Sequence, residues 1–211
     1  MEIRTISAET VTAAVKKLFM DCNYFIGKDI MNALENAEKS ETSPVGKSVL
    51  SQIIENDKIA AKEEIPLCQD TGMAVLFVEY GDKVAIENGS FDEAVNEGVR
   101  QAYGDGYLRK SVVADPVFDR VNTKDNTPAI IHTKIVSGNQ IKITAGGKGF
   151  GSENMSAIKS LRRARSTPKN RVAKRAWSFW KTSTAWAQTE HCKLTMTLRD
   201  CYDSPFEKDH R

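Results

Sequence analysis

Residues 64–81 read EIPLCQDTGMAVLFVEYG, and the way this stretch divides decides the fold. Its second half, residues 73–81, is rich in Val, Phe and Tyr and is bounded by Gly72 and a Gly81-Asp82 turn, the signature of a β-strand. Its first half is a proline-stiffened approach to a polar Cys-Gln-Asp-Thr-Gly turn. Cys68 therefore stands at the entrance to a strand, either as a small apolar filler or as a thiol at the mouth of a site. Asp70-Thr71-Gly72 fits a turn on local grounds alone, since Asp bonds nearby backbone and Gly accepts positive φ.

Upstream of this stretch, residues 10–60 carry helical patterning. In SPVGKSVLSQIIENDKIA, Ser43 is placed as an N-cap, Pro44 suits the first turn, and Val45, Val49, Leu50, Ile53 and Ile54 share a face expected to pack inward. The GKS at 46–48 is no phosphate loop, because Glu41 occupies the position of the required upstream glycine. Downstream, Ser90-Phe-Asp-Glu93 forms a capping box for a helix lined by Phe91, Val95, Val99 and Ala102. A polar loop of about 25 residues follows, a length that is usually functional or disordered. AIIHTKIV and QIKITAG then alternate on either side of SGN, which predicts a hairpin. The chain next enters GGKGFGSENMSAIKSL, a glycine-rich loop with Ser152 in cap position for another helix. The expected fold class is α+β: N-terminal helices, then a mixed sheet with a hairpin, a glycine-rich loop and a helix.

Charge divides the chain unevenly. The net charge of +2 over 211 residues combines −5 in residues 1–160 with +7 in residues 161–211. All 13 glycines lie before residue 152, whereas Trp177, Trp180 and Trp186 lie in the last 51 residues. Two domains are expected: 1–161, a folded body, and 162–211, a basic, Trp-containing tail that is disordered or irregular. Arg and Lys meet phosphates and Trp stacks on bases, so the tail admits a nucleic-acid reading. Its lack of sustained period favours a segment foreign to the fold instead, as a frameshift near Leu161 would produce. No apolar run approaches the roughly 18 residues of a membrane span, and the N-terminus lacks an export pattern, so the expectation is a cytoplasmic chain. Cys22, Cys68, Cys192 and Cys201 are then thiols or metal ligands rather than a disulfide framework.

Four polar stretches fall at the ends of regular elements: residues 68–71, 108–111, 122–126 and 147–154. Loops on a rigid scaffold are where sites usually form. GKGFGS departs from the dinucleotide fingerprint in spacing, but backbone N–H groups at a helix start beside Lys148 can seat a carboxylate or phosphate oxygen. Arg109, as an arginine on a loop, is by itself more often solvated than functional. His132 alternates within a strand and is left as core or surface. A thiolate, a carboxylic acid, an arginine and an anion-binding turn together suit a small anionic substrate and a soft metal centre.

EEIPLCQDTGMAVLFVEYG, YLRKSVV, NTKDNTP and KGFGSENMS, in this order, resemble the alpha subunit of class I fumarate hydratases and of L-tartrate dehydratase, which are iron–sulfur hydro-lyases. The resemblance implies reversible hydration of a small dicarboxylate, fumarate to malate or tartrate to oxaloacetate. It makes Cys68 a ligand of a 4Fe–4S cluster and one of the three cysteines such a cluster needs. Asp70 becomes the acid–base group, and Gln69, Arg109, Lys148, Gly149 and Gly151 the substrate contacts. A beta subunit is the implied partner, in a hetero- or homo-oligomer. The tail lacks the family's remaining cysteine segments, so the chain reads as an incomplete alpha subunit. The alternative is an inactive dicarboxylate-binding or subunit-interaction module, and a nucleic-acid binder ranks below both.

Overall fold

The computed structural model describes residues 3–151 and the backbone of residues 194–198. The chain runs β1 (Arg4–Ser7), α1 (Ala8–Tyr24), α2 (Lys28–Ser40), α3 (Pro44–Glu63), β2 (Met73–Gly81), β3 (Val84–Glu87), α4 (Phe91–Asp105), β4 (Ile130–Val136), β5 (Ile141–Lys148) and β6 (Leu194–Leu198). This is the α+β arrangement expected. Three helices start on the serines that satisfy their free N–H groups: Ser7 Oγ accepts from Thr10 N, Ser43 Oγ from Gly46 N, and Ser90 Oγ from Glu93 N. Ser90 Oγ in turn donates to the Glu93 carboxylate at 2.9 Å, so serine and glutamate bond at this helix start through their side chains.

The core lies between the α1–α4 pair and one face of the sheet. Val11, Val15, Leu18 and Phe19 from α1 meet Val95, Val99, Ala102 and Tyr103 from α4. Beneath them, Ala74, Leu76 and Val78 of β2 and Ile141, Ile143 and Ala145 of β5 present the inward half of their alternation. Each fully buried aliphatic side chain here contributes about 1.5–3 kcal/mol from water exclusion. The helices approach closely because Gly98 has no side chain: a Cβ there would lie 2.7 Å from both Thr12 O and Val15 Cβ. Thr12 Oγ1 fixes the crossing by donating to Ala94 O at 3.0 Å.

The four-stranded sheet has the order β4-β2-β5-β6, and β1 pairs with β3 in parallel. The predicted hairpin does not form. β4 runs parallel to β2 on one side and β5 antiparallel on the other, so the two strands of the supposed hairpin never pair. Residues 137–140 arch over the end of β2 instead. Strands two places apart are separated by about 10 Å, which four extended residues span easily. Gly81 makes the arch possible, since a Cβ would meet Gly138 O at 2.5 Å and Gln140 O at 2.7 Å. Both runs are strands, but only β5 alternates in burial, β4 burying no residue, and their adjacency in sequence was mistaken for adjacency in the sheet.

A second departure concerns α3. Ile54 is buried, but Val45, Val49 and Ile53 are 74%, 49% and 41% exposed, so the predicted inward face is mostly open. α2 buries no residue at all and meets α3, where Ser51 Oγ donates to the Glu38 carboxylate. Periodicity establishes that an apolar stripe exists, not that this chain covers it. β1 and β3 were not anticipated, being four residues each. β6 is a strand within the stretch expected to be irregular; the pattern LTMTL is too short to stand out from its surroundings. His132 proves to be a surface residue, its ring stacked on Phe77 at 5.1 Å between centroids. Among the described residues no helix is long and apolar enough to cross a membrane.

By compactness the chain divides into residues 1–148 with 191–211, and a second unit, Gly149–Glu190, of which Gly149–Gly151 are described. The boundary expected at residue 161, the helix expected after Ser152, and Cys192 and Cys201 lie outside the described residues.

Candidate functional site

The turn holding Cys68 is fixed from behind. After α3 the backbone turns at Glu64, in the left-handed region at φ 52. Leu67 N then donates to Asn23 O at 2.9 Å, and Asn56 Nδ2 donates to Leu67 O at 3.0 Å. Both partners stand on helices, so the residue before Cys68 is anchored at both backbone atoms. Cys68 itself is exposed. Asp70 N–H faces its sulfur at 3.5 Å, and the thiol lies 3.8 Å from Gln69 Oε1. Gln69 is exposed and Asp70 half-buried.

Thr71 joins this turn to the next loop. It is 3% exposed, and its Oγ1 accepts from Arg109 N at 2.8 Å while donating to Arg109 O at 3.3 Å. The Arg109 side chain is exposed and makes no ion pair among the described residues. Tyr103, buried on α4, sets its hydroxyl between Thr71 O at 2.9 Å and Gly72 O at 3.2 Å. β5 passes close by: a Cβ on Gly147 would meet Thr71 O at 2.8 Å. The next residue, Lys148, is exposed and sits opposite Met73 in the β2–β5 register.

The third stretch closes the assembly. Asn126, fully buried and left-handed at φ 62, accepts through Oδ1 from Ser111 N at 2.7 Å and Val112 N at 3.1 Å. Its Nδ2 donates to Gly72 O at 3.1 Å. Beside it, Asp125 Oδ1 accepts from Thr127 N and Oγ1, and Asp125 Oδ2 from Arg100 Nε at 3.1 Å. Burial opposes the charged form of Asp125, yet these bonds, with one from Thr123, outweigh it and hold its carboxyl below the usual range. Asn96 Oδ1 accepts from Ala129 N at 2.9 Å. Asn96, Arg100 and Tyr103 are four and three residues apart, so one stripe of α4 holds both the turn at 71–72 and the stretch at 125–129. Tyr107, Arg120, Lys124 and Asn126 all have positive φ within this single loop. Such strain persists only where surrounding bonds over-determine the backbone, and it gathers at functional sites.

Cys68, Gln69, Asp70 and Arg109 thus lie on two loops tied through Thr71, with Lys148 on the strand that closes against the first of them. Gly149 and Gly151 begin the second unit, and among the described residues nothing lies within 4 Å of a Cβ built at Gly151. Sequence reasoning missed Thr71, Tyr103 and Asn126 as organisers. For Tyr103 a signal existed: polar Asn96 and Arg100 precede it at helical spacing beside the apolar stripe. For Asn126 none did, because its role depends on contacts 14 to 54 residues away.

Among the described residues no three His, Cys, Asp or Glu side chains converge to hold a metal. Cys22 is buried, its Sγ 3.5 Å from Phe19 O, which leaves Cys68 as the one exposed thiol described. One thiolate does not hold a four-iron cluster, so the described residues alone do not fit it. A separate open groove of about 840 Å³, lined by Lys16, Lys17, Tyr24, Glu93, Glu97 and Gln101 among others, contains none of the flagged side chains.

Comparison with known proteins gives a consistent set of likenesses. The model of the family described as Fumarate hydratase (Fumerase) matches residues 12–192, running past the quoted motifs, which end at Ser156. The putative L(+)-tartrate dehydratase subunit alpha of Methanocaldococcus jannaschii is 38% identical over 156 residues, covering 72% of this chain and 55% of its own. The anaerobic class I fumarate hydratase of Escherichia coli is 32% identical over 171 residues, 79% of this chain and 30% of its own. Fumarate hydratase 2 of Leishmania major is 29% identical over 167 residues, 78% of this chain and 29% of its own. The chain therefore spans about half the length of the first relative and under a third of the other two.

Proposed function

The chain belongs to the fumarate hydratase (Fumerase) family, and from that premise we propose that it is part of a hydro-lyase acting on a small dicarboxylate, its loops forming one wall of the substrate site. The observation that supports this reading is the paired bonding of Thr71 to the Arg109 backbone, which ties the loop carrying that exposed arginine to the turn carrying Cys68 and Asp70. Dehydrating a 2-hydroxy diacid removes a proton from one carbon and hydroxide from the next, leaving the alkene and water. Asp70 is the group to accept and return the carbon-bound proton. Arg109 takes one carboxylate bidentately, Lys148 attracts the other, and Gln69 orients the hydroxyl. The relatives' names point to fumarate or tartrate as substrate and to a beta subunit as partner. Gly149 and Gly151 retain their proposed anion-binding role on sequence grounds, and a cytoplasmic location is part of the same proposal.

The resemblance also proposes a 4Fe–4S cluster, which supplies a Lewis-acidic iron for the departing hydroxide when bound. Cys68 is the described ligand for it; two more must come from outside the described residues. A second reading, a dicarboxylate-binding or subunit-interaction module without a cluster, is favoured by that single thiol. Anaerobic reconstitution of the full chain with iron and sulfide, followed by visible absorbance and a fumarate hydration assay with a beta subunit, separates the two. Cluster uptake and turnover lost on Cys68→Ala support the hydro-lyase. No uptake, with dicarboxylate binding still sensitive to Arg109→Gln, supports the binding module; neither uptake nor binding overturns both. Reading the coding DNA after codon 160 in all frames tests the proposed frameshift, which fails if no frame continues the family sequence.

A further inference from the structure

Asn126 takes no part in the proposed chemistry, yet it is fully buried and its amide bonds Ser111 N, Val112 N and Gly72 O, joining two loops at once. Resting on the reading above, we infer that Asn126 is a positioning residue: it fixes the register between the Cys68–Gly72 turn and the Arg109–Val112 loop, and so sets where the guanidinium stands relative to the thiol and carboxylate. The geometry requires an amide. Oδ1 accepts from two successive backbone N–H groups, Ser111 and Val112, while Nδ2 donates to a carbonyl, Gly72 O. A carboxylate of the same shape keeps the first pair but turns an oxygen toward the Gly72 carbonyl, replacing attraction with repulsion. The left-handed backbone at φ 62 adds a second filter, since Asn and Gly adopt it readily and branched residues do not. Ser111 and Val112 follow Arg109 by two and three residues, and Gly72 follows Cys68 by four. The amide therefore spans the gap immediately behind the two groups whose spacing matters. Thr71 makes the parallel tie one residue earlier. Two ties side by side define an orientation, where one alone would leave a hinge.

The consequence is a change in charge recognition at Cys68 that loss of stability alone does not produce. The probe is the alkylation rate of Cys68 in the full, metal-free, reduced chain, measured by peptide mass spectrometry with anionic iodoacetate and neutral iodoacetamide, Cys22 serving as an internal monitor of folding. In the native chain Arg109 should raise the iodoacetate rate relative to the iodoacetamide rate. Arg109→Gln should lower that ratio several-fold. Asn126→Asp and the backbone-compatible Asn126→Gly should lower it by a similar factor while Cys22 stays protected. If Arg109→Gln leaves the ratio unchanged, Arg109 does not face Cys68, and the reading of the site fails with the inference. If Arg109→Gln lowers it but both Asn126 variants keep the native ratio, the inference alone is overturned. Labelling of Cys22 in both Asn126 variants means that Asn126 holds the whole fold rather than the loop register, which also overturns it.

Discussion

Cys22 and Cys68 occupy opposite sides of one backbone hydrogen bond, Leu67 N to Asn23 O, and could hardly differ more in setting. Cys22 is 1% exposed within the α1–α4 core, its Sγ against Phe19 O and the Asn23 amide. Cys68 stands on a turn whose neighbours are an amide N–H, a glutamine and a half-buried carboxyl. The small-apolar-filler role that cysteine usually plays belongs to the first, and the open position belongs to the second. The same contrast separates two layers of the molecule. One is a dry core in which glycines and aliphatic side chains set distances; the other is a group of loops in which single polar side chains do so.

Breaking the core layer should have the largest effect. Gly98→Val places branched carbons where even a Cβ would be 2.7 Å from Thr12 O and Val15 Cβ, and overpacking of this kind costs about 1–3 kcal/mol or more. A thermal melt should show a drop of many degrees, and an unchanged midpoint would mean that α1 and α4 do not cross there. In the loop layer, Tyr103→Phe removes one hydroxyl from Thr71 O and Gly72 O. It should cost about 1 kcal/mol in denaturant unfolding and raise the alkylation rate of Cys68 more than that of Cys22.

Acid sharpens the contrast further. The folded-state pKa of Asp125 lies below its unfolded value, so its contribution to stability is complete above about pH 4 and is lost as pH falls through the folded pKa. Denaturant midpoints between neutral pH and the region below pH 4 should therefore fall less steeply for Asp125→Asn than for the native chain; parallel curves would contradict the bonding assigned to it. The smallest effect is expected on α3. Val49 is 49% exposed, so Val49→Asp should change stability by no more than about 0.5 kcal/mol. A loss several times larger would mean that the apolar stripe of α3 is covered after all.

The sequence made the elements legible wherever local chemistry decides them. Ser43 and Ser90 cap helices, Met73–Gly81 is a strand, and three of the four polar stretches, 68–71, 108–111 and 122–126, contain the loops now seen tied together. It did not disclose which strands are neighbours. β4 and β5 have hairpin patterning, but β2 lies between them because the 137–140 arch clears a glycine, a condition no window of a few residues contains. Nor did it disclose Asn126. A buried amide linking residues 72, 111 and 112 looks from the sequence like any polar residue in a loop rich in turn formers. Cys68, Asp70 and Arg109 were singled out by chemical type, and what the fold adds is the Thr71 bond from the first turn to the Arg109 backbone.

Protection of the Cys68 thiol by a diacid is the most direct test that these loops read dicarboxylates. Iodoacetamide labelling of Cys68 in the full chain should slow in a saturable way as L-malate, fumarate or tartrate is added, and Arg109→Gln should abolish the slowing. Labelling that proceeds at one rate whatever diacid is present, in the native chain and the variant alike, would contradict the account.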